Sequence, residues 1–392
     1  MNSQQDLNEA IHRIEEARSE CSQNLSLKGL QVSELPSDIS TIATQLRSLD
    51  LSECRRLERL DLLRGLRALR YLDLSGCDQL ENLDFLKGMR NLWTLNLSGC
   101  RQLKSLDMMR ELRDLQSVDL SGCRQLKSVD FLRDLLGLQS LNLRGCDQIQ
   151  SLDFLRNLRG LLSLELNGCD QLENIDFLQD LRGMRSLDLS GRAQLESLDL
   201  LAESRGLRSI SLSGCRKLKS VDFLRNLRAM KSLDLSGCSQ LENLDSLRNL
   251  SVMRSLNLSG CSKLKSVACL RESRGLQSLD LSGCSQLENV DPLGYLSGLR
   301  SLDLSGCSQL ENLDSLRQVP LLENLALMGV PFDAERENWI FNASSNLQTL
   351  FADSITGAPR EVVSANSSDD CLPRLRAWWS ERNAGKENVN RA

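Results

Sequence analysis

One phrase repeats along this chain. The stretch LRSLDLSGCSQLENLDSLR at residues 299–317 recurs as MKSLDLSGCSQLENLDSLR at 230–248, and looser copies fill most of the remainder. Aligned on the cysteine of SGC, the copies place Cys54, Cys77, Cys100, Cys123, Cys146, Cys169, Arg192, Cys215, Cys238, Cys261, Cys284, Cys307 and Val330 at a constant spacing of 23. Two members are substituted and none is displaced. An earlier copy puts Leu30 in the slot, 24 residues before Cys54, and a degenerate one ends at Ile355. A fixed period of this length means one supersecondary unit per copy. Such a unit cannot bury its apolar face alone, so its neighbours must cover it by stacking.

Within a unit the pattern is L-x-x-L-x-L-S-G-C-x-x-L-x-x-L-D-x-L-x-x-L-x-x. Around Leu302, Asp303 and Leu304 the apolar period is two, which predicts a half-buried strand with the aspartate facing out. The second half, LDFLRNL and its relatives, is too short for a long helix. It predicts a short 3₁₀ or turn segment, with Asp84, Asp130, Asp153, Asp222 and Asp245 placed to cap its free amides. Asp291, Pro292 and Leu293 suit that geometry, because proline is tolerated in a first turn. The pattern resembles the leucine-rich repeat, in the short-repeat class seen in internalins. That resemblance implies an α/β repeat fold, a horseshoe solenoid with a parallel β-sheet on the concave face and 3₁₀ or turn segments on the convex face. Helical caps are expected at both ends. The domain reading is an N-terminal cap over 1–22, a solenoid of 14 to 15 units over 23–355, and a C-terminal cap helix with a disordered tail over 356–392.

Fourteen cysteines, eleven of them in this register, do not read as a disulfide framework, which belongs to small secreted domains. They read as free thiols, each a small inward filler with a weak donor. A ladder points its thiols in parallel, one per layer, so no metal site is expected from them. Phe85, Phe131, Phe154, Phe177 and Phe223 share one register and read as an internal packing spine. The formal charge of −5 and pI near 5.3 argue against nucleic acid or an anionic membrane as the main partner. No signal-like apolar segment and no apolar run long enough to span a membrane appears, so the expected compartment is the cytoplasm. The alternative is secretion into a host without a cleavable signal peptide.

Catalysis and cofactors are not expected. The one histidine, His12, lies in the N-terminal helical segment, so a nucleophile in the repeats has no base. No phosphate-binding loop occurs. A calcium site where acids adjoin, as at Asp280 and Asp303, lacks any further sign of an oxygen cage.

The candidate binding surface is the row of outward strand positions. Asp50, Asp73, Asn96, Asp119, Asn142, Glu165, Asp188, Ser211, Asp234, Asn257, Asp280, Asp303 and Ala326 form its central column, flanked by serines. Exceptions carry the information: Tyr71 and Arg144 replace serines, Trp93 stands at a strand start, and Leu162 and Glu165 break the pattern. Exposed aromatics and arginine are enriched in interface hot spots. Tyr71, Trp93, Arg144, Leu162 and Glu165, with Asp50, Asp73, Asp119 and Asp188, are therefore the expected contacts for a protein partner. Outside the sheet, Glu242 and Lys265 are expected to pair, and the basic outer column from Arg64 to Arg317 reads as a charge-balanced solvated face.

At the entrance, Leu7, Ala10, Ile11, Ile14 and Ala17 follow helical spacing and predict a cap. The run AIHRIEEARSECSQNLSLKGLQVSELPSDI resembles the opening of bacterial Roco-type leucine-rich-repeat proteins. At the exit, Gly357, Pro359, Glu361, Val362, Ser364, Asp370, Cys371, Leu372, Arg376 and Ala377 match the phrase that in that family joins the repeats to a GTPase module. The resemblance implies a repeat module of that lineage, with GTP binding not carried over for want of a phosphate loop. Leu372, Leu375, Trp378 and Trp379 form an apolar stripe that would seal the last repeat, and the two tryptophans are a candidate self-association surface. The expected function is a non-catalytic protein-interaction scaffold or regulator. The alternatives are an effector acting on host proteins and the repeat subunit of a Roco-like GTPase system.

Overall fold

In the computed structural model, residues 3–341 and 346–389 are described. They form two compact units, Met1–Leu189 and Ser190–Ala392. The first unit ends just before Arg192, where arginine stands in the cysteine slot.

In the first unit, helix α1 (Ser3–Ser19) precedes eight three-residue strands, from Asn24–Ser26 to Ser186–Asp188. The strands pair in parallel and in chain order, with Leu72 opposite Leu95 and Leu95 opposite Val118. The middle residue of each is buried, as the alternation predicts. α1 buries Ala10, Ile14 and Ala17. Asp6, itself buried, accepts the N–H of Gln31 at 3.1 Å, tying the cap to the first repeat.

In the second unit, strands Ser209–Ser211 to Asn324–Ala326 continue the same parallel pattern and Thr349–Phe351 follows them. A small ladder joins Phe332–Asp333 to Ile355–Thr356, and helix α2 (Leu372–Val389) ends the described chain. α2 starts as its sequence requires: Asp370 accepts the N–H of Leu372 at 3.1 Å, Pro373 lies in the first turn, and Leu372 and Leu375 are buried. Ser364 and Arg376 build this closure. The Ser364 hydroxyl accepts from Ala352 N–H at 3.0 Å, and Arg376 donates to the Leu347 carbonyl at 3.0 Å. The tail expected after α2 lies outside the described residues.

Each strand exits through a tight turn. Gly99 adopts φ +74°, a backbone conformation that other side chains rarely take, so the turn itself favours glycine. Next comes the cysteine slot, then a short 3₁₀ segment such as Asp107–Glu111. The phenylalanine spine is buried at all five positions.

One local expectation fails. The aspartates that open the 3₁₀ segments do not cap them. The serine or asparagine two residues earlier takes the first N–H instead: Asn82 from Asp84 at 2.6 Å, Ser128 from Asp130 at 3.1 Å, Asn243 from Asp245 at 2.6 Å. Each aspartate is already the first residue of the segment, so its carboxylate points forward to the cation three residues on. Asp153 meets Arg156 and Asp222 meets Arg225, both at 3.3 Å. These pairs account for the charge balance of the outer column. Glu242 likewise pairs with Lys263 at 3.2 Å rather than with Lys265, which lies farther along the same turn.

Candidate functional site

The sheet surface of the first unit is built from three outward positions per strand, and its central column has a local duty. In Asp50, Asp73 and Asp119, one carboxylate oxygen accepts the N–H two residues on, at 2.8–2.9 Å; Asn96 and Asn142 do the same with their amide oxygens at 3.0 Å. This is the Asx turn, in which a short side chain mimics a backbone acceptor and turns the chain out of the strand. The other oxygen ties neighbouring layers. Asp73 accepts from the Asn96 amide and Asp119 from the Asn142 amide, both at 3.1 Å. Alternating carboxylate with amide replaces like-charge repulsion by a hydrogen bond. At Asp50, burial pushes the carboxyl up, but bonds from Ser52 and Ser26 and the charge of Lys28 outweigh it and hold it below the ordinary value.

Glu165 stands in this column and departs from it. Burial, then the charges of Asp188 and Asp119, push its carboxyl up, and Arg144 alone opposes them. In the same layer the Asn167 side-chain oxygen is buried without a partner. Asp188 sits directly across from Glu165 in the strand register. Arg144 is exposed and Leu162 only half-buried.

The aromatic exceptions form a separate group near the first repeats. The Tyr71 hydroxyl donates to Asp73 at 3.0 Å, and burial followed by that bond pushes the phenol up to about 12. Its ring stays 37% exposed. Trp93 lies just before strand Thr94–Asn96, 42% exposed, with the Arg70 guanidinium 4.5 Å over its ring. Trp93 N–H bonds the Arg70 carbonyl at 2.8 Å, so Arg70 and Trp93 occupy one register column, and Leu162 falls three layers further along it. The expected residues therefore divide into a Tyr71, Asp73 and Trp93 cluster and an Arg144, Leu162, Glu165 and Asp188 cluster. The plain layer of Ser117 and Asp119 separates them. Asp50 adjoins the first cluster across the register from Asp73.

Sequence reading missed Arg70, whose role depends on the ring one layer away, and Leu136, 66% exposed on the turn that leads into strand Ser140–Asn142. Leu136 occupies the slot that Arg113 and Arg159 hold in the adjacent repeats, which is the signal that would have found it.

The cysteines face away from this surface. Every repeat cysteine is buried, and Cys100, Cys123 and Cys146 each donate to a carbonyl one layer back at 3.1–3.3 Å. Burial pushes the Cys146 thiol up to about 12. A protonated, enclosed thiol is neither nucleophile nor metal ligand at neutral pH. Among the described residues no three His, Cys, Asp or Glu side chains converge as a metal site, and no helix is long and apolar enough to cross a membrane.

Leucine-rich-repeat family models match residues 44–88 and 274–318, and a BspA-type leucine-rich repeat model matches 96–204. No curated protein matches the sequence. Among solved structures, an internalin (InlF) from Listeria monocytogenes is 20% identical, with TM-score 0.69 over 82% of this chain and 94% of that one. Mouse RP105, in its complex with MD-1, is 17% identical, with TM-score 0.59 over 90% and 65%. TLR13, in its complex with ssRNA13, is 18% identical, with TM-score 0.51 over 85% and 61%. These likenesses are of fold. Strand register, 3₁₀ segments, cysteine slots and matched family models together place this chain among the leucine-rich repeat proteins.

Proposed function

We propose that the chain is a non-catalytic interaction module that binds a protein partner through the sheet surface of its first unit. The observation that carries this reading is the exposed aromatic pair of Tyr71 and Trp93, each fixed by a polar neighbour, in adjacent layers whose central column is Asp and Asn engaged in turns. A rigid aromatic loses little entropy on binding and offers a large contact area, which is why such residues dominate interface energetics. Leucine-rich repeat proteins generally mediate protein contacts, and RP105 is itself seen in complex with MD-1. TLR13 is seen with ssRNA13, but this chain's charge of −5 disfavours a phosphate backbone. The proposed compartment is the cytoplasm.

The test is affinity capture with the intact chain beside a variant carrying Tyr71→Ser, Trp93→Ser and Leu162→Ser. A protein retained by the first and lost by a folded second supports the reading. Equal retention by both removes recognition from this surface.

A second reading rests on the exit segment. Its resemblance to the Roco junction supports a role as the repeat subunit of a GTPase system. Co-purification of a nucleotide-binding protein dependent on α2 tests it, and the absence of any such protein counts against it.

A further inference from the structure

The second unit carries a hollow on its 3₁₀ side where the phenylalanine spine stops. Phe223 is the last ring; the same slot then holds Ser246, Cys269, Pro292 and Ser315. Ser246 and Ser315 satisfy themselves by donating to the Val221 and Val290 carbonyls at 2.9 and 3.0 Å. Cys269 and Pro292 refill nothing, and a cleft of about 710 Å³ opens over them. Its volume lies in the range of small-molecule sites.

The ion pairs of the outer turns are split at the same place. The flanking layers keep theirs, Asp245 with Arg248 at 3.1 Å and Asp314 with Arg317 at 3.2 Å. Between them, Ala268 leaves Arg271 without its aspartate, and Gly294 leaves Asp291 without its cation. Packing enforces the second loss, since a Cβ on Gly294 would lie 2.8 Å from the Ser315 carbonyl oxygen. Among the described residues, neither the Arg271 nor the Asp291 side chain makes an ion pair or hydrogen bond, and both line the cleft. The Arg271 guanidinium lies 4.1 Å over the ring of Tyr295, which is 45% exposed. Stacking occupies the face of the guanidinium and leaves its N–H edge free for a bidentate acceptor.

We propose that this cleft binds a small zwitterion of the α-amino-acid class, its carboxylate on Arg271, its ammonium on Asp291 and its apolar side group in the hollow over Cys269 and Pro292. Arg248 and Asp314, which also line the cleft, are held in their own ion pairs, so the unpaired charges among the described residues are Arg271 on one side and Asp291 and Glu272 on the other; with the gap over Cys269 and Pro292 they match the three parts of such a molecule. The site is independent of the sheet surface proposed above, because it lies on the other side of the repeat and in the other unit.

The test is calorimetric titration of the full chain with L-phenylalanine, 3-phenylpropionate and 2-phenylethylamine. Saturable binding of the amino acid, weaker by about tenfold or more for each singly charged analogue, is expected. Arg271→Ala and Asp291→Asn should each weaken the amino acid by a similar factor; both side chains are exposed, so the fold is not at stake. Cys269→Phe should abolish binding while leaving the circular dichroism and Tm intact, since Phe223 fills the same slot in this fold. Equal binding of the carboxylate or the amine alone, or no binding of any of the three, would overturn the proposal.

Discussion

The thiol of Cys100 donates to the carbonyl of Leu74, 3.2 Å away in the preceding repeat, and the same carbonyl accepts the N–H of Cys77 at 3.2 Å. One acceptor thus closes its own turn and holds the next layer. The motif recurs at Cys123 with Leu97 and at Cys284 with Leu258, both at 3.3 Å. Because the N–H contact survives loss of the thiol, Cys100→Ala leaves no orphaned carbonyl. It removes a weak donor and a small buried volume, for an expected loss of about 1–2 kcal/mol by urea denaturation. A neutral result would reduce the ladder to inert filler.

Alkali should act on the same ladder. Cys54 is pushed up to about 11, and Cys146, Cys261 and Cys307 to about 12, burial being the leading cause at each. Below about pH 8.5 the thiols are protonated in folded and unfolded chains alike, and stability is unaffected. Above it the unfolded chain releases protons that the folded one retains, so stability falls by about 1.4 kcal/mol per pH unit for each such thiol until the folded pKa is passed. Urea midpoints measured from pH 7 to 10.5 should drop steeply, and alanine at several ladder positions should flatten the curve. Identical slopes in parent and variant would exclude the thiols as the cause. A thiol reagent at neutral pH should label Cys21, which is exposed, far ahead of the buried cysteines.

The displaced cap predicts an inversion of the obvious mutational ranking. Asp130→Asn breaks an exposed pair with Arg133 at 3.7 Å and should change stability by less than about 0.5 kcal/mol. Ser128→Ala removes the acceptor of the Asp130 N–H at 3.1 Å and should cost about 1 kcal/mol, as lost caps do. The two variants differ in one thermal or urea comparison. A larger loss for Asp130→Asn would restore the aspartate as the capping group.

Much of this architecture was legible because a repeat tests each inference many times. The alternation around Leu302 and Leu304 gave the strand, the constant spacing of the cysteines gave the stacking, and the register of Phe85 and Phe131 gave the spine. What escaped depends on geometry between layers. Nothing in the string distinguishes an aspartate that caps a 3₁₀ segment from one that begins it, because the two differ by a single backbone position. The carboxylates of Asp73 and Asp119 read as a solvated binding column, yet each holds a turn through one oxygen and a neighbouring amide through the other. The pairing of Arg70 with Trp93 spans 23 residues and is visible only once the register is known. Of the expected partner contacts, the aromatic residues and Arg144 are exposed, whereas Leu162 is partly covered.

That division makes the two halves of the candidate surface separable by mutation. Trp93→Ala removes an exposed ring that stacks with Arg70 but fills no core, so it should cost less than about 1 kcal/mol of stability. If the Tyr71 and Trp93 cluster is the anchor, the same change should weaken a captured partner by about 2 kcal/mol or more, roughly thirtyfold. Tyr71→Phe is the finer probe. The hydroxyl is already committed to Asp73, so its loss should leave affinity nearly unchanged while the phenylalanine ring preserves the contact area. Glu165→Gln, in the other cluster, removes a carboxylate held close to Asp188 and should raise stability slightly at neutral pH by relieving that repulsion. A partner sensitive to Glu165→Gln and indifferent to Trp93→Ala would shift recognition to the Arg144 cluster, three layers along the same face.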